Sequence, residues 1–360
     1  MTETPLQARK GRGAVGNPAG RFERERALLE DDGWGSLEDW ADEPSPRTTV
    51  MPDTSRSVIT RNDSPDLGFD LSCNPYRGCE HGCVYCYARP SHGFLGLSSG
   101  LDFETKLFAK HDAPAQFRKE LAAPSYVCDL IVVGVNTDCY QPIERGLRLT
   151  RGLLEVALEA RQPLGIVTKS ALILRDLDIL RPMAELGLVK VSVSVTTLDA
   201  TIARTLEPRA AAPHRRLATI KALAEAGVPT GVNVAPIIPG LTDHEIEPIV
   251  NAAAEHGARR ASYTLLRLPY EIKDLFSDWL DAHVPDRAAR VLALVRETRG
   301  GKLYRSSFDQ RMHGKGVYAD MIRQRMILAR RRFGMALQTI PLRTDLFRRP
   351  SLDRRQLELL

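Results

Sequence analysis

Between Leu71 and Leu266, six short runs rich in β-branched residues alternate with longer stretches of helical periodicity, and this alternation narrows the choice of fold more than any other feature. The strand runs are Phe69 to Pro75, Leu130 to Gly134, Leu164 to Thr168, Val189 to Val195, Val228 to Ala235 and Ala261 to Leu266. Helical patterns lie between them at Leu149 to Arg161, Leu174 to Leu186, His214 to Gly227 and Thr242 to Gly257. Thr242 with Glu245 three residues on reads as a capping box opening the last of these. Repeated strand–helix units build a parallel sheet with helices packed on its outside. Six units fit an incomplete (β/α)6 barrel, and the pattern alone fits an open doubly wound sheet equally well.

The flanks differ from this core. Residues 1–63 are rich in Gly, Pro and charge, and read as a partly disordered N-terminal arm ahead of a core at 64–268. Residues 269–343 read as a helical, basic extension, in which Ile322, Met326, Ala329 and Phe333 form an apolar stripe at helical spacing. Arg323, Arg325, Arg330, Arg331 and Arg332 then form either a solvated face or a phosphate-binding surface, and residues 344–360 read as a flexible tail. A hydrophobic content of 43% is enough for a large core, and the net charge of +5 is compatible with nucleic acid without requiring it. No apolar stretch reaches membrane-spanning length and residues 1–20 lack a secretory apolar segment, so the cytoplasm is the expected compartment, with no membrane partner.

The chemistry is concentrated in Cys79-Glu-His-Gly-Cys83-Val-Tyr-Cys86, a C-x3-C-x2-C run. Three thiolates on one short loop suit an iron-sulfur cube that keeps one iron open, since four cysteines normally close all four corners. Gly78 and Gly82 supply the backbone freedom such wrapping needs. The competing reading is structural zinc, with Cys73 as a fourth thiolate. Paired C-x2-C knuckles, the usual zinc spacing, are missing, and disulfides are not expected in a chain of this length without secretory context.

With an aromatic residue, Tyr85, before the last cysteine, this run resembles the signature of radical S-adenosylmethionine (SAM) enzymes. The wider segments Asn74 to Pro90 and Asn136 to Arg145 resemble the spore photoproduct lyase-like branch of that superfamily, over roughly Leu71 to Leu268. The resemblance selects the incomplete (β/α)6 barrel and implies a 4Fe-4S cluster on Cys79, Cys83 and Cys86. It also implies SAM on the open iron, and reductive cleavage of SAM to methionine and a 5'-deoxyadenosyl radical that abstracts hydrogen from a substrate.

The same resemblance implies roles for further residues. Tyr85 packs near the SAM adenine and Tyr87 corresponds to a radical-relay tyrosine. Lys169, Ser192 and Ser194 lie where the branch holds the SAM carboxylate and ribose, and Asn233 lies near the adenine. Strand alternation places Ser192, Ser194 and Thr196 on one face of their strand, opposite Val191, Val193 and Val195. Matching the branch's Thr/Ser-Asp pair to Thr137-Asp138 puts its hydrogen-donor cysteine at Val135, four residues before Cys139. Strict thymine-dimer repair is thereby put in question, while Cys139 stays a candidate hydrogen donor just past a strand end.

Asp138 and Glu144 suit either acid–base or capping roles, and the histidines, His81 and His313 among them, show no paired metal spacing. An electron donor such as flavodoxin or ferredoxin is implied, and the substrate is unknown. The rival functions are a DNA photoproduct repair lyase and a non-catalytic nucleic-acid-binding protein with a zinc site.

Overall fold

The computed structural model describes residues 9–19, 21–22, 46–336 and 341–352. Most of the stretch expected to be disordered in the arm, and residues 353–360 of the tail, lie outside the described residues. The described residues form ten strands: β1 (Thr49–Pro52), β2 (Ile59–Arg61), β3 (Leu71–Cys73), β4 (Tyr76–Arg77), β5 (Lys106–Ala109), β6 (Ile131–Val133), β7 (Leu164–Thr168), β8 (Val189–Ser194), β9 (Thr230–Ile237) and β10 (Arg260–Leu265). The main sheet runs β10-β9-β8-β7-β6-β3-β2. Its six strands from β3 to β10 are parallel neighbours, and only β2 is antiparallel, at the edge against β3.

Each expected strand run overlaps one of these six parallel strands: β7 spans the same residues as its run, whereas β9 continues past Ala235 to Ile237 and β10 begins one residue early, at Arg260. Buried apolar side chains explain this legibility, since Ile131, Val133, Leu164, Ile166, Val189, Val191, Val193, Val232 and Val234 all lie in one core cluster. Helices Ala113–Ala122, Leu149–Ala160, Leu177–Glu185, Pro213–Glu225 and Ile246–Glu255 connect successive parallel strands. After β10, helix Val317–Arg332 packs on Ile246–Glu255 and on β10, burying Ile322, Met326 and Ala329. The result is a partial, open barrel of parallel strands and outer helices.

The capping box expected at Thr242 does not form. The Thr242 hydroxyl instead accepts from the Ile238 N–H at 3.0 Å, and a 3-10 turn at Asp243–Glu245 precedes the helix. Glu245 is drawn away because its carboxylate accepts from the Thr197 hydroxyl and the Leu198 N–H, both at 2.5 Å.

A second, three-stranded sheet, β1-β5-β4, stands beside the cysteine loop. Part of the N-terminal stretch is folded: residues 46–63 contain β1 and β2, and Ala14 and Val15 are buried. Beyond Asp345, the Phe347 ring lies tilted against Tyr126, with centroids 5.5 Å apart, and the Arg348 N–H donates to the Ala160 carbonyl.

Candidate active site

The C-terminal ends of the parallel strands and the cysteine loop enclose one cavity of about 240 Å³. Parallel barrels place their chemistry at this end. Cys79, Cys83 and Cys86 all line it, none in a disulfide. Their loop turns through Gly78 and Gly82, at φ 75° and 67°, left-handed values that a Cβ would strain. Burial raises the thiol pKa of Cys79 well above the ordinary range and that of Cys83 to about 12. With no cation bound, both sites therefore hold neutral thiols rather than thiolates. Three unpaired soft donors on one cavity wall fit an iron-sulfur cluster. Cys73 is buried in the main core and does not line the cavity, so the zinc reading loses its fourth thiolate. Among the described residues, no three His, Cys, Asp or Glu side chains close around a single-ion point.

The two sequence segments singled out above prove to be bonded to each other. Asn74 Oδ1 accepts from the Asn136 N–H at 3.1 Å, and the Thr137 hydroxyl donates to the Tyr76 carbonyl at 3.0 Å. Gln141 bridges the cysteine loop: its Nε2 donates to the Gly78 carbonyl at 3.1 Å and its Oε1 accepts from the Glu80 N–H at 2.9 Å. Glu144, fully buried, accepts from the Tyr76 hydroxyl, the Thr150 N–H and Arg175. It does not line the cavity. Asp138 does, but it accepts from the Thr168 hydroxyl, the Lys169 N–H and the Tyr140 N–H, and lies 3.3 Å from His81 Nδ1. Burial alone would raise its pKa, but His81 and these donors outweigh it and hold the carboxyl at about 2. Both carboxylates are thus structural acceptors.

A second buried network lies behind Tyr85. Its hydroxyl donates to Glu207, which also accepts from the Thr196 hydroxyl at 2.7 Å and pairs with Arg216. Burial raises the Glu207 pKa, yet Arg216, Lys169 and Tyr85 bring it down to about 2. Lys169 Nζ lies 5.9 Å from the Tyr85 ring centroid. Burial lowers the Lys169 pKa, but nearby Cys83 and Glu207 more than compensate and raise it.

Of the remaining expected residues, Tyr85, Tyr87, Lys169, Ser194 and Asn233 line the cavity. Asn233 Oδ1 accepts from Ser262 at 3.2 Å. Ser192 lies further back along β8, outside the cavity lining, opposite Val167 and Gly231. Tyr87 sits at the mouth, 43% exposed, with its hydroxyl donating to the Val135 carbonyl. Cys139 is fully buried in the main core and does not line the cavity.

The sequence reading missed Gln141, Glu207, Arg216 and Arg267. Their signal is only long-range pairing, which no local pattern carries.

The family model of the radical SAM superfamily matches residues 73–253. The chain belongs to this superfamily. An uncharacterised protein of Mycobacterium tuberculosis is 35% identical over 232 residues, spanning 64% of this chain and 68% of its own. An uncharacterised protein of Methanocaldococcus jannaschii is 28% identical over 172 residues, 48% of this chain and 62% of its own. Among solved structures, a mutant spore photoproduct lyase with bound AdoMet and dinucleoside spore photoproduct aligns with a TM-score of 0.55. The two share 18% identity over 79% of this chain and 80% of that one. This likeness shows the fold. Radical SAM membership implies SAM and an iron-sulfur cluster as cofactors, and makes the chain an enzyme of that type. Among the described residues no helix is long and apolar enough to cross a membrane.

Proposed function

We propose that this protein is a cytoplasmic radical SAM enzyme with a 4Fe-4S cluster held by Cys79, Cys83 and Cys86. When bound, cluster and SAM supply reductive cleavage of SAM to methionine and a 5'-deoxyadenosyl radical for hydrogen abstraction. The observation that carries the reading is that all three motif cysteines face one cavity at the strand ends, beside Lys169, Tyr85, Ser194 and Asn233.

In this reading Lys169 holds the SAM carboxylate as a point charge, Ser194 serves the ribose, and Tyr85 and Asn233 flank the adenine. Glu207 and Arg216 fix the Tyr85 hydroxyl and so the ring's attitude. Tyr87 stands at the mouth, on the substrate side. A flavodoxin or ferredoxin would supply the electron.

Repair of DNA photoproducts by a cysteine relay is the weaker reading. Val135 occupies the expected donor position and Cys139 lies in the core.

The test is anaerobic reconstitution, then measurement of 5'-deoxyadenosine released from SAM under strong reductant. Wild type should form it, and Cys83→Ala should form none. A reconstituted, iron-loaded wild type that forms none would end the proposal.

A further inference from the structure

Arg267 follows β10 and lines the same cavity at its mouth. Its guanidinium carbon lies 4.6 Å from the centroid of the Tyr87 ring. A cation stacked on an aromatic face is held in place without using its N–H donors, which stay available for a ligand.

Those donors are poorly matched by the protein. Among the described residues, Nη1 reaches only the Met312 sulfur at 3.6 Å, a weak acceptor, and Nε is buried with no partner. The acidic group that senses Arg267, Asp66, is already gripped by both arms of Arg311 at 2.5 Å. Among the described residues only one carboxylate lines the cavity, Asp138, and its donors are His81, Thr168, Lys169 and Tyr140. A second cation lies behind the cavity wall: Arg299, outside the lining, donates to the Leu266 and Gln310 carbonyls, and its pKa falls to about 10, through burial first and then through Arg267 itself.

A charged donor group with few acceptors is costly to keep out of water, and an anion arriving from the cavity at the guanidinium nitrogens offsets that cost. The fork geometry of a guanidinium matches two oxygens of a carboxylate or phosphate. Lys169, over Tyr85, is a separate cationic pole beside the cysteines, and SAM carries a single carboxylate. One pole therefore remains once SAM is bound. We propose that the substrate carries an anionic group, phosphate or carboxylate, received by the Arg267 guanidinium against the Tyr87 ring. This rests on the radical SAM reading for the remainder of the cavity.

The test uses the reconstituted protein with SAM bound, titrated with inorganic phosphate or with acetate at constant ionic strength, reading the melting temperature. Phosphate should raise it in wild type, and Arg267→Leu and Arg267→Gln should both lose that rise while melting cooperatively. A rise with acetate alone would assign a carboxylate-bearing substrate and support the same site. No rise with either anion, or an equal rise in the variants, overturns the proposal. Equilibrium dialysis of SAM supplies the other arm. Retained SAM binding in Arg267→Leu supports a substrate role, whereas loss of SAM binding hands Arg267 to the SAM carboxylate and overturns it. Failure of the radical SAM reading shows separately, as wild type that releases no 5'-deoxyadenosine.

Discussion

Gln141 shows how much a single neutral side chain can organise here. Its amide is the link between the 136–145 segment and the backbone on both sides of Cys79. Replacing it by Leu leaves the Gly78 carbonyl without its donor and the Glu80 N–H without its acceptor in a buried place, at about 1–3 kcal/mol each. Gln141→Leu is therefore expected to retain less iron per chain after desalting than wild type, and to unfold at lower denaturant. Glu207 carries a heavier charge load, since Arg216 is buried with it. Glu207→Gln strands the guanidinium and should cost about 3–5 kcal/mol in denaturant unfolding. The pH dependence follows from the same pair. Tyr85, Thr196, Arg216 and Lys169 face Glu207 and hold it at about 2, against an ordinary 4.5. Its folded pKa is the lower one, so its contribution is complete above about pH 4.5 and fades as pH falls toward 2. Acid titration of unfolding should show this loss in wild type and a shallower slope in Glu207→Gln. The grouping of the cysteines was legible in the sequence from their spacing, and the family resemblance pointed to Lys169, which lines the same cavity. Glu207 and Arg216 were not legible, since their meaning is a contact with Tyr85 made across more than a hundred residues.

At the scale of elements, the cysteine loop is braced from behind by a segment that precedes the family match. Glu104, fully buried, accepts from the N–H groups of Gly13 and Ala14 at 3.1 and 2.9 Å and pairs with Arg89. Arg89 in turn donates to the carbonyls of Gly82 and Cys83 at 3.1 and 2.8 Å. Gly13 has no room for a side chain, because a Cβ there would stand 1.8 Å from the Gly82 carbonyl oxygen. Gly13→Ala must push the segment off the loop, and Glu104→Gln removes the charge facing buried Arg89, at about 3–5 kcal/mol. Both variants are expected to lose iron faster than wild type on exposure to a chelator, followed by the decay of visible absorbance. Gly-rich, charged residues ahead of the core read from sequence as an arm because they bury little apolar surface. What holds residues 11–18 is backbone hydrogen bonding to a distant carboxylate, to which hydrophobic periodicity is blind. The same limit hid β1, β4 and β5, strands of four residues or fewer whose pairing is long-range. Long apolar runs such as β7 declared themselves because both faces are covered.

Over the whole molecule, the barrel's open arc and its basic C-terminal extension are one question. Helix Val317–Arg332 supplies the outer layer for β10 and Ile246–Glu255, and its stripe of Ile322, Met326 and Ala329 is fully buried. Its arginines divide by position. Arg325 grips Glu247 on the neighbouring helix and Arg323 pairs with Asp320 one turn back, so these two serve the fold locally. Arg331 and Arg332 are exposed at the helix end, where positive charge also complements the helix dipole. The apolar stripe was legible from sequence through its spacing, whereas the split among the arginines depends on which neighbour the helix packs against. If the helix completes the barrel, its energetic content lies in the stripe. Met326→Ala should cost about 2–5 kcal/mol in denaturant unfolding, while Arg331→Ala should stay within about 0.5 kcal/mol of wild type. Equal, small effects for both would mean that the extension is an accessory to a barrel already closed without it.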